Sequence, residues 1–175
     1  MSDNKKNVGS KWTKQGLIGM AAAASLLAIA PVQAQEKVVG TFGWFGVGKA
    51  YEIDKGHYYW VGEFSGTFVN DKGDGSPLHL AGVKCPAFND LDFANKRSNG
   101  GGYCIVSDLD GDQLYLSWRI PAATNPGPGA KGPGTFEYTG GTGKYQNWRG
   151  KNTFVGVTQI NWADGTASGY ATWNR

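Results

Sequence analysis

Residues 57–69, with the sequence HYYWVGEFSGTFV, decide the fold because their side chains alternate between two chemical types. One face carries four aromatic side chains with glycines between them: Tyr58, Trp60, Gly62, Phe64, Gly66 and Phe68. The other face carries Tyr59, Val61, Glu63, Ser65 and Thr67. A period of two over a dozen residues predicts a β-strand. Glycines on the aromatic face indicate a strongly bent strand, as at a barrel corner.

Other short alternating runs surround this strand, and no convincing amphipathic helix interrupts them. Further strands are predicted at residues 38–47, 78–85, 103–108, 113–119, 135–139, 152–157, 158–162 and 168–173. Turn sequences separate them: DKGDG at 71–75, NGGG at 99–102, DLDGD at 108–112 and ADG at 163–165. Residues 121–134 hold four of the seven prolines and predict a long surface loop. The pattern predicts an all-β chain, either a meandering barrel or a sandwich.

The N-terminus has the three-part layout of a secretory signal peptide. Four lysines lie among the first 14 residues, and LIGMAAAASLLAIA at 17–30 carries no charge. Val32 and Ala34 are small residues at the −3 and −1 positions of a cleavage site. We therefore expect residues 1–34 to be a signal peptide and residues 35–175 one domain, secreted to the periplasm or the extracellular medium. The alternative is an uncleaved anchor, for which the apolar run is shorter than the ~20 residues of a membrane span.

Removal of the signal peptide changes the charge of the protein. The whole chain has 17 basic and 14 acidic residues, of which four lysines and Asp3 lie in the first 34. The remaining domain has 13 of each and is formally neutral. The electrostatic argument for nucleic acid or an anionic membrane surface as a partner therefore disappears, and no membrane span is expected after cleavage.

The chain has two cysteines, Cys85 and Cys104, with 18 residues between them. An isolated cysteine pair in a secreted protein usually forms a disulfide. The alternatives have less support, because two cysteines do not make a zinc site and a CxxC redox pair is absent.

The stretch GGTGKYQNWRG, residues 140–150, superficially resembles a phosphate-binding loop. A Walker loop requires glycine at position 138 and serine or threonine at 145, and both positions are tyrosine. No helix pattern follows either. We expect instead a glycine-rich turn in which Tyr145 and Trp148 form a one-turn apolar plug.

This stretch also carries a family resemblance. GTFEYTGGTGKYQNWRGKNTF at 134–154 resembles the Gly-Gly-Thr-Gly-Lys-aromatic segment of the allene oxide cyclase and dirigent-protein barrels. Cys85-Pro86, Cys104 and GDQLYLSW at 111–118 are similar to features of small secreted bacterial proteins of the same barrel type. The resemblance implies an eight-stranded antiparallel (calycin-like) β-barrel with an apolar interior. The polar groups that serve those families match no position here, so activity does not transfer with the fold.

Candidate catalytic and metal-binding residues are few, and no catalytic residue, metal site or cofactor is predicted. His57 and His79 lack an accompanying nucleophile motif. Asp108, Asp110 and Asp112 have the spacing of calcium ligands, but the glycine comes too early and the closing glutamate is missing, which favours a solvated hairpin turn.

The aromatic side chains are the remaining candidates for function. Six are predicted to line a cavity: Tyr58, Trp60, Phe64, Phe68, Trp118 and Phe136. An eight-stranded barrel is either filled by its side chains or holds one small ligand. The leading hypothesis is therefore binding of a small apolar or aromatic molecule. One alternative is a cyclase or isomerase using Glu63, His57 or Arg119 inside the pocket. The other is a cell-envelope interaction protein with a filled barrel.

Overall fold

Within the described residues, eight antiparallel strands close into one β-barrel in simple sequence order. This computed structural model describes residues 38–121 and 125–173, so the predicted signal peptide (1–34) lies outside it. The strands are β1 Gly40–Asp54, β2 His57–Asn70, β3 Ala81–Asp92, β4 Arg97–Ser107, β5 Gln113–Ile120, β6 Lys131–Gly141, β7 Gly150–Asn161 and β8 Ala167–Trp173. A single 3-10 turn, Gly143–Tyr145, is the helical element of the described chain.

Closure of the barrel rests on the pairing of the first strand with the last. β1 pairs with β8 from Gly40 opposite Trp173 to Gly46 opposite Ala167. Each other strand pairs with its neighbours in sequence, so both edges of the sheet are satisfied. The prediction of an eight-stranded antiparallel barrel is confirmed, and the sandwich alternative is excluded.

The predicted disulfide is also present and joins adjacent strands. Cys85 on β3 is bonded to Cys104 on β4. The backbone ladder continues on both sides, with Val83 opposite Val106 and Ala87 opposite Gly102. Both cysteines face the barrel interior and are almost fully buried.

Four local predictions are wrong. The strand predicted at 78–85 starts three residues later, since β3 begins at Ala81, and it continues to Asp92. Residues 152–157 and 158–162 belong to one strand, β7, rather than two. The NGGG sequence at 99–102 lies inside β4 and not in a turn. Close packing accounts for Gly102, because a Cβ there would lie 2.3 Å from the backbone carbonyl oxygen of Pro86 on β3. The irregular segment predicted at 121–134 ends earlier, since β6 already begins at Lys131.

One end of the barrel, here called the packed end, is filled by side chains. It lies beside the β2–β3, β4–β5 and β6–β7 connections. Its fully buried residues include Phe68, Leu78, Val83, Val106, Leu114 and Tyr145. The rings of Phe68 and Trp173 lie 4.4 Å apart between centroids, so the two side chains are in direct contact where the packed end meets the rest of the barrel.

The GGTGKYQNWRG stretch closes this end as a plug. Tyr145 is 1% exposed and meets Trp148 edge-to-face at 5.0 Å. The Tyr145 hydroxyl donates a hydrogen bond to Asp108. Lys144 Nζ lies 2.7 Å from Asp108 and 2.5 Å from Asp110, so its charge is already neutralised within the protein. The lysine therefore fixes the plug to the β4–β5 turn and leaves no cationic cradle for phosphate.

Candidate ligand-binding cavity

The opposite end of the barrel, here called the open end, contains a cavity of about 360 Å³. It lies beside the connections at residues 55–56, 93–96, 125–130 and 162–166. Its rim residues Ala50, Phe93, Asn161 and Trp162 are exposed, which shows that the cavity communicates with solvent here. The wall aromatics are Phe42, Trp44, Tyr58, Trp60, Phe64, Trp118, Phe136, Phe154 and Trp173.

The structure brings together five of the six aromatic residues proposed from the sequence. Tyr58, Trp60, Phe64, Trp118 and Phe136 all border the cavity. Phe68 shares the inward face of β2 but is fully buried in the packed end, apart from the cavity. The difference arises because β2 runs from the open end to the packed end. A single inward face therefore contributes to both regions.

Several wall rings lie in close contact with glycines of their own strand or of a neighbouring strand. A Cβ on Gly48 or Gly62 would come within 2.4 Å of the Trp60 indole. A Cβ on Gly169 would come equally close to Trp44, and one on Gly134 would lie 2.2 Å from Phe154. The rings occupy the places where side chains would otherwise stand, so they cover the wall and leave the centre of the open end empty.

The wall aromatics also contact one another in a continuous series. Phe64 lies 4.9 Å from both Trp44 and Trp60. The ring of Phe64 also lies 6.1 Å from that of Trp118, and the Trp118 ring lies 6.2 Å from that of Phe154. Aromatic pairs at these separations stabilise each other by about 0.5–1.5 kcal/mol beyond their burial. The series therefore holds the wall rings in defined positions.

Two of these tryptophans have different polar surroundings. The indole N–H of Trp60 donates to the Gly165 carbonyl in the β7–β8 turn at 3.1 Å. This hydrogen bond ties the wall to the rim. The indole N–H of Trp118 is buried and has no hydrogen-bond partner among the described residues.

The cavity is electrically neutral. Among the residues that the structure describes, no Asp, Glu, Lys, Arg or His borders it. Its polar lining consists of amide and hydroxyl groups, which include Asn89, Thr158, Asn161 and Thr166. A charged group inside the cavity would therefore meet no side-chain counter-charge.

The three polar residues considered for catalysis lie on the outside of the barrel. Glu63 pairs with Lys84 at 3.6 Å. His57 is hydrogen-bonded to Asp90 through its Nε2 atom. The Arg119 guanidinium lies over the Phe88 ring at 5.3 Å. None of the three borders the cavity.

The remaining histidine and the aspartates of the β4–β5 turn contact other residues of the connections and do not border the cavity. His79 lies in the β2–β3 connection, where its Nε2 is 3.4 Å from Asp74. Asp112 accepts a hydrogen bond from the Lys144 backbone N–H, so all three aspartates of the β4–β5 turn bind the plug lysine. Across residues 38–121 and 125–173, no group of three potential ligands could hold a metal ion.

Sequence reasoning did not propose Trp44 and Phe154. Trp44 belongs to the inward series Phe42, Trp44, Gly46, Gly48 and Ala50 of β1. The same aromatic-and-glycine alternation that identified β2 marks this series. Phe154 falls in the run 152–157 that is predicted as a strand, but its inward direction is fixed by the register of β7 with β6 and β8.

Comparisons with models of known protein families, with curated proteins and with solved structures find no significant match. The resemblance to allene oxide cyclase and dirigent barrels therefore stays a prediction from motifs. In the described part of the chain, no helix is long and apolar enough to cross a membrane.

Proposed function

We propose that this protein binds one small apolar or aromatic molecule in the open end of its barrel. The observation that carries the proposal is the cavity of about 360 Å³ walled by aromatic side chains. Ligand pockets typically have volumes of about 300–1,000 Å³ and a mostly apolar lining with a few polar groups. The cavity falls at the lower end of this range and has the same mixed lining.

The free energy of binding comes from removal of apolar surface from water. Each 100 Å² of buried apolar ligand surface contributes roughly 2.5 kcal/mol. The wall is organised before binding, because ring contacts and the Trp60–Gly165 hydrogen bond fix several of its side chains. A preorganised wall lowers the entropy cost of binding.

The placement of polar residues favours binding over catalysis. The three residues considered for catalysis by a cyclase or isomerase, Glu63, His57 and Arg119, all lie outside the pocket. The polar groups that line the pocket are uncharged amides and hydroxyls. Exposed apolar side chains on the outer face of the sheet, such as Tyr51, Val61 and Tyr103, are compatible with an interaction protein. The hollow open end nevertheless argues against the filled barrel that this alternative assumed.

The disulfide supports a secreted location, in the periplasm or outside the cell. Cys85 and Cys104 are joined, and disulfides persist mainly in oxidising compartments. Such a protein would meet its ligand outside the cytoplasm.

The proposal is tested with N-phenyl-1-naphthylamine, whose fluorescence rises in apolar surroundings, and with 1-decanol as an aliphatic competitor. We expect saturable binding of the naphthylamine that Ala50→Trp weakens at least tenfold. Ala50 is exposed at the rim and borders the cavity, so a large side chain there obstructs the entrance.

Val47→Trp is the matched control. Val47 lies on the same strand, is 55% exposed, and does not border the cavity. This variant should bind like the unchanged protein. Equal binding by both variants would overturn the proposal, and so would the absence of Ala50→Trp-sensitive binding by both compounds.

A further inference from the structure

We infer that the ligand is an uncharged molecule with a planar aromatic body and a non-ionic polar end. This inference rests on the proposed function and specifies the chemical class that the cavity selects. Three observations carry it: the neutral lining, the flat rings of the wall, and the position of the polar groups at the rim.

The neutral lining selects against charged ligands. Transfer of an ion from water into an apolar site is costly unless an opposite charge or several hydrogen bonds compensate it. The described cavity residues provide no ionised partner. Glu63 and Arg119, on strands that contribute to the cavity wall, engage other residues on the outer face. A carboxylate, sulfonate or ammonium group is therefore excluded from the interior.

The flat rings select for planar ligands. Trp60 covers Gly48 and Gly62 from inside the barrel, and Trp44 covers Gly169 in the same way. Both indoles border the cavity, where Trp60 is stacked on Phe64 and Trp44 meets Phe64 edge-to-face. Aromatic rings prefer offset-stacked or edge-to-face neighbours. A planar aromatic body can stack on these rings, whereas a puckered saturated ring contacts them through fewer atoms.

The polar lining lies at the rim and sets the orientation of the ligand. Asn161 and Thr166 flank the β7–β8 turn at the open end. The deep wall consists of Phe64, Trp118 and Phe136, beside the disulfide. A molecule with one hydroxyl, carbonyl or ether group is therefore bound with its aromatic body inside and that group at the rim.

Two matched pairs of compounds test the inference. The first pair is N-phenyl-1-naphthylamine and its anionic analogue 1-anilinonaphthalene-8-sulfonate. The second pair is 2-naphthol and its saturated counterpart decahydro-2-naphthol, each measured by displacement of the naphthylamine. Only binding that Ala50→Trp weakens and Val47→Trp leaves unchanged is counted, so that adsorption to the outer surface does not contribute.

We expect the sulfonate to bind at least tenfold more weakly than the neutral naphthylamine. We expect decahydro-2-naphthol to compete at least fivefold less effectively than 2-naphthol. Equal affinity within either pair would overturn the inference while leaving the proposed function intact. If none of the four compounds, nor 1-decanol, gives Ala50→Trp-sensitive binding, the proposed function itself fails.

Discussion

Trp60 and Trp118 stand in the same cavity wall, but the indole N–H groups of the two residues differ in their partners. The Trp60 N–H is bonded to the Gly165 carbonyl, and the Trp118 N–H is buried without a partner among the described residues. A made hydrogen bond contributes about 0.5–1.5 kcal/mol, and a buried unpaired polar group costs about 1–3 kcal/mol. The same substitution should therefore have unequal effects at the two positions.

We predict that Trp60→Phe lowers the free energy of unfolding by about 1–3 kcal/mol more than Trp118→Phe does. Both substitutions remove similar volume, so the difference isolates the N–H group. Urea denaturation followed by far-UV circular dichroism measures both values. A larger loss for Trp118→Phe would show that its N–H has a partner, and equal losses would show that the Trp60–Gly165 bond adds nothing.

At the scale of elements, the plug depends on charges that the sequence places on two separate connections. Asp108 precedes β5, whereas Lys144 and Tyr145 follow β6. Burial opposes ionisation of Asp108, but hydrogen bonds from Lys144 and Tyr145 outweigh it and lower the pKa of the carboxyl. Hydrogen bonds to Asp108 and Asp110 raise the pKa of Lys144. The plug is therefore held by ionised partners at neutral pH.

We predict that acid weakens the plug. A carboxyl with a lowered pKa stabilises the folded state above its unfolded pKa of about 4, and this contribution is lost as the pH falls toward the folded pKa. Asp108→Asn should cost about 1–3 kcal/mol at pH 7 and flatten the loss of stability below about pH 4. Urea denaturation at several pH values measures both effects.

Asp74→Asn provides the control for the acid series, because the Asp74 side chain is fully exposed. This variant should follow the pH profile of the unchanged protein. If Asp108→Asn runs parallel to the unchanged protein from pH 7 to pH 2, the aspartate does not hold the plug in its ionised form.

The strands also show how much of the fold and of the cavity can be predicted from the sequence. The alternation in residues 57–69 predicts β2 to within one residue, because aromatic and polar side chains separate cleanly there. The sequence does not reveal that Gly100 and Gly102 lie within a strand, because glycine signals a turn unless the opposing side chain is known. Nor does it separate Phe64 from Phe68, which share one face but border the cavity and the packed end respectively.

At the scale of the whole molecule, the disulfide adds stability to a barrel that is already closed by backbone pairing. We predict that the double variant Cys85→Ala/Cys104→Ala keeps the barrel but loses about 3 kcal/mol of stability, as expected for a loop of this length. The ladder on either side of the bridge and the β1–β8 seam are independent of it. Urea midpoints, with far-UV circular dichroism of the native state, test this.

Treatment of the unchanged protein with a reductant should reproduce the loss seen in the double variant. Reductant should have no effect on the variant itself. A variant without β structure would show instead that the bridge is needed for the barrel to form, and a change below about 1 kcal/mol would contradict the loop-entropy estimate.

The plug closes the barrel at one end, and the cavity lies at the other. Because Tyr145 and its neighbours seal one end, a ligand bound as proposed would enter and leave through the same opening. Such a barrel would not carry a ligand through from one end to the other. Association and dissociation of the ligand would therefore follow the same route. Under the proposed function, substitutions at the rim residues around Ala50 and Trp162 would change the residence time of the ligand and leave the aromatic wall that selects it unaltered.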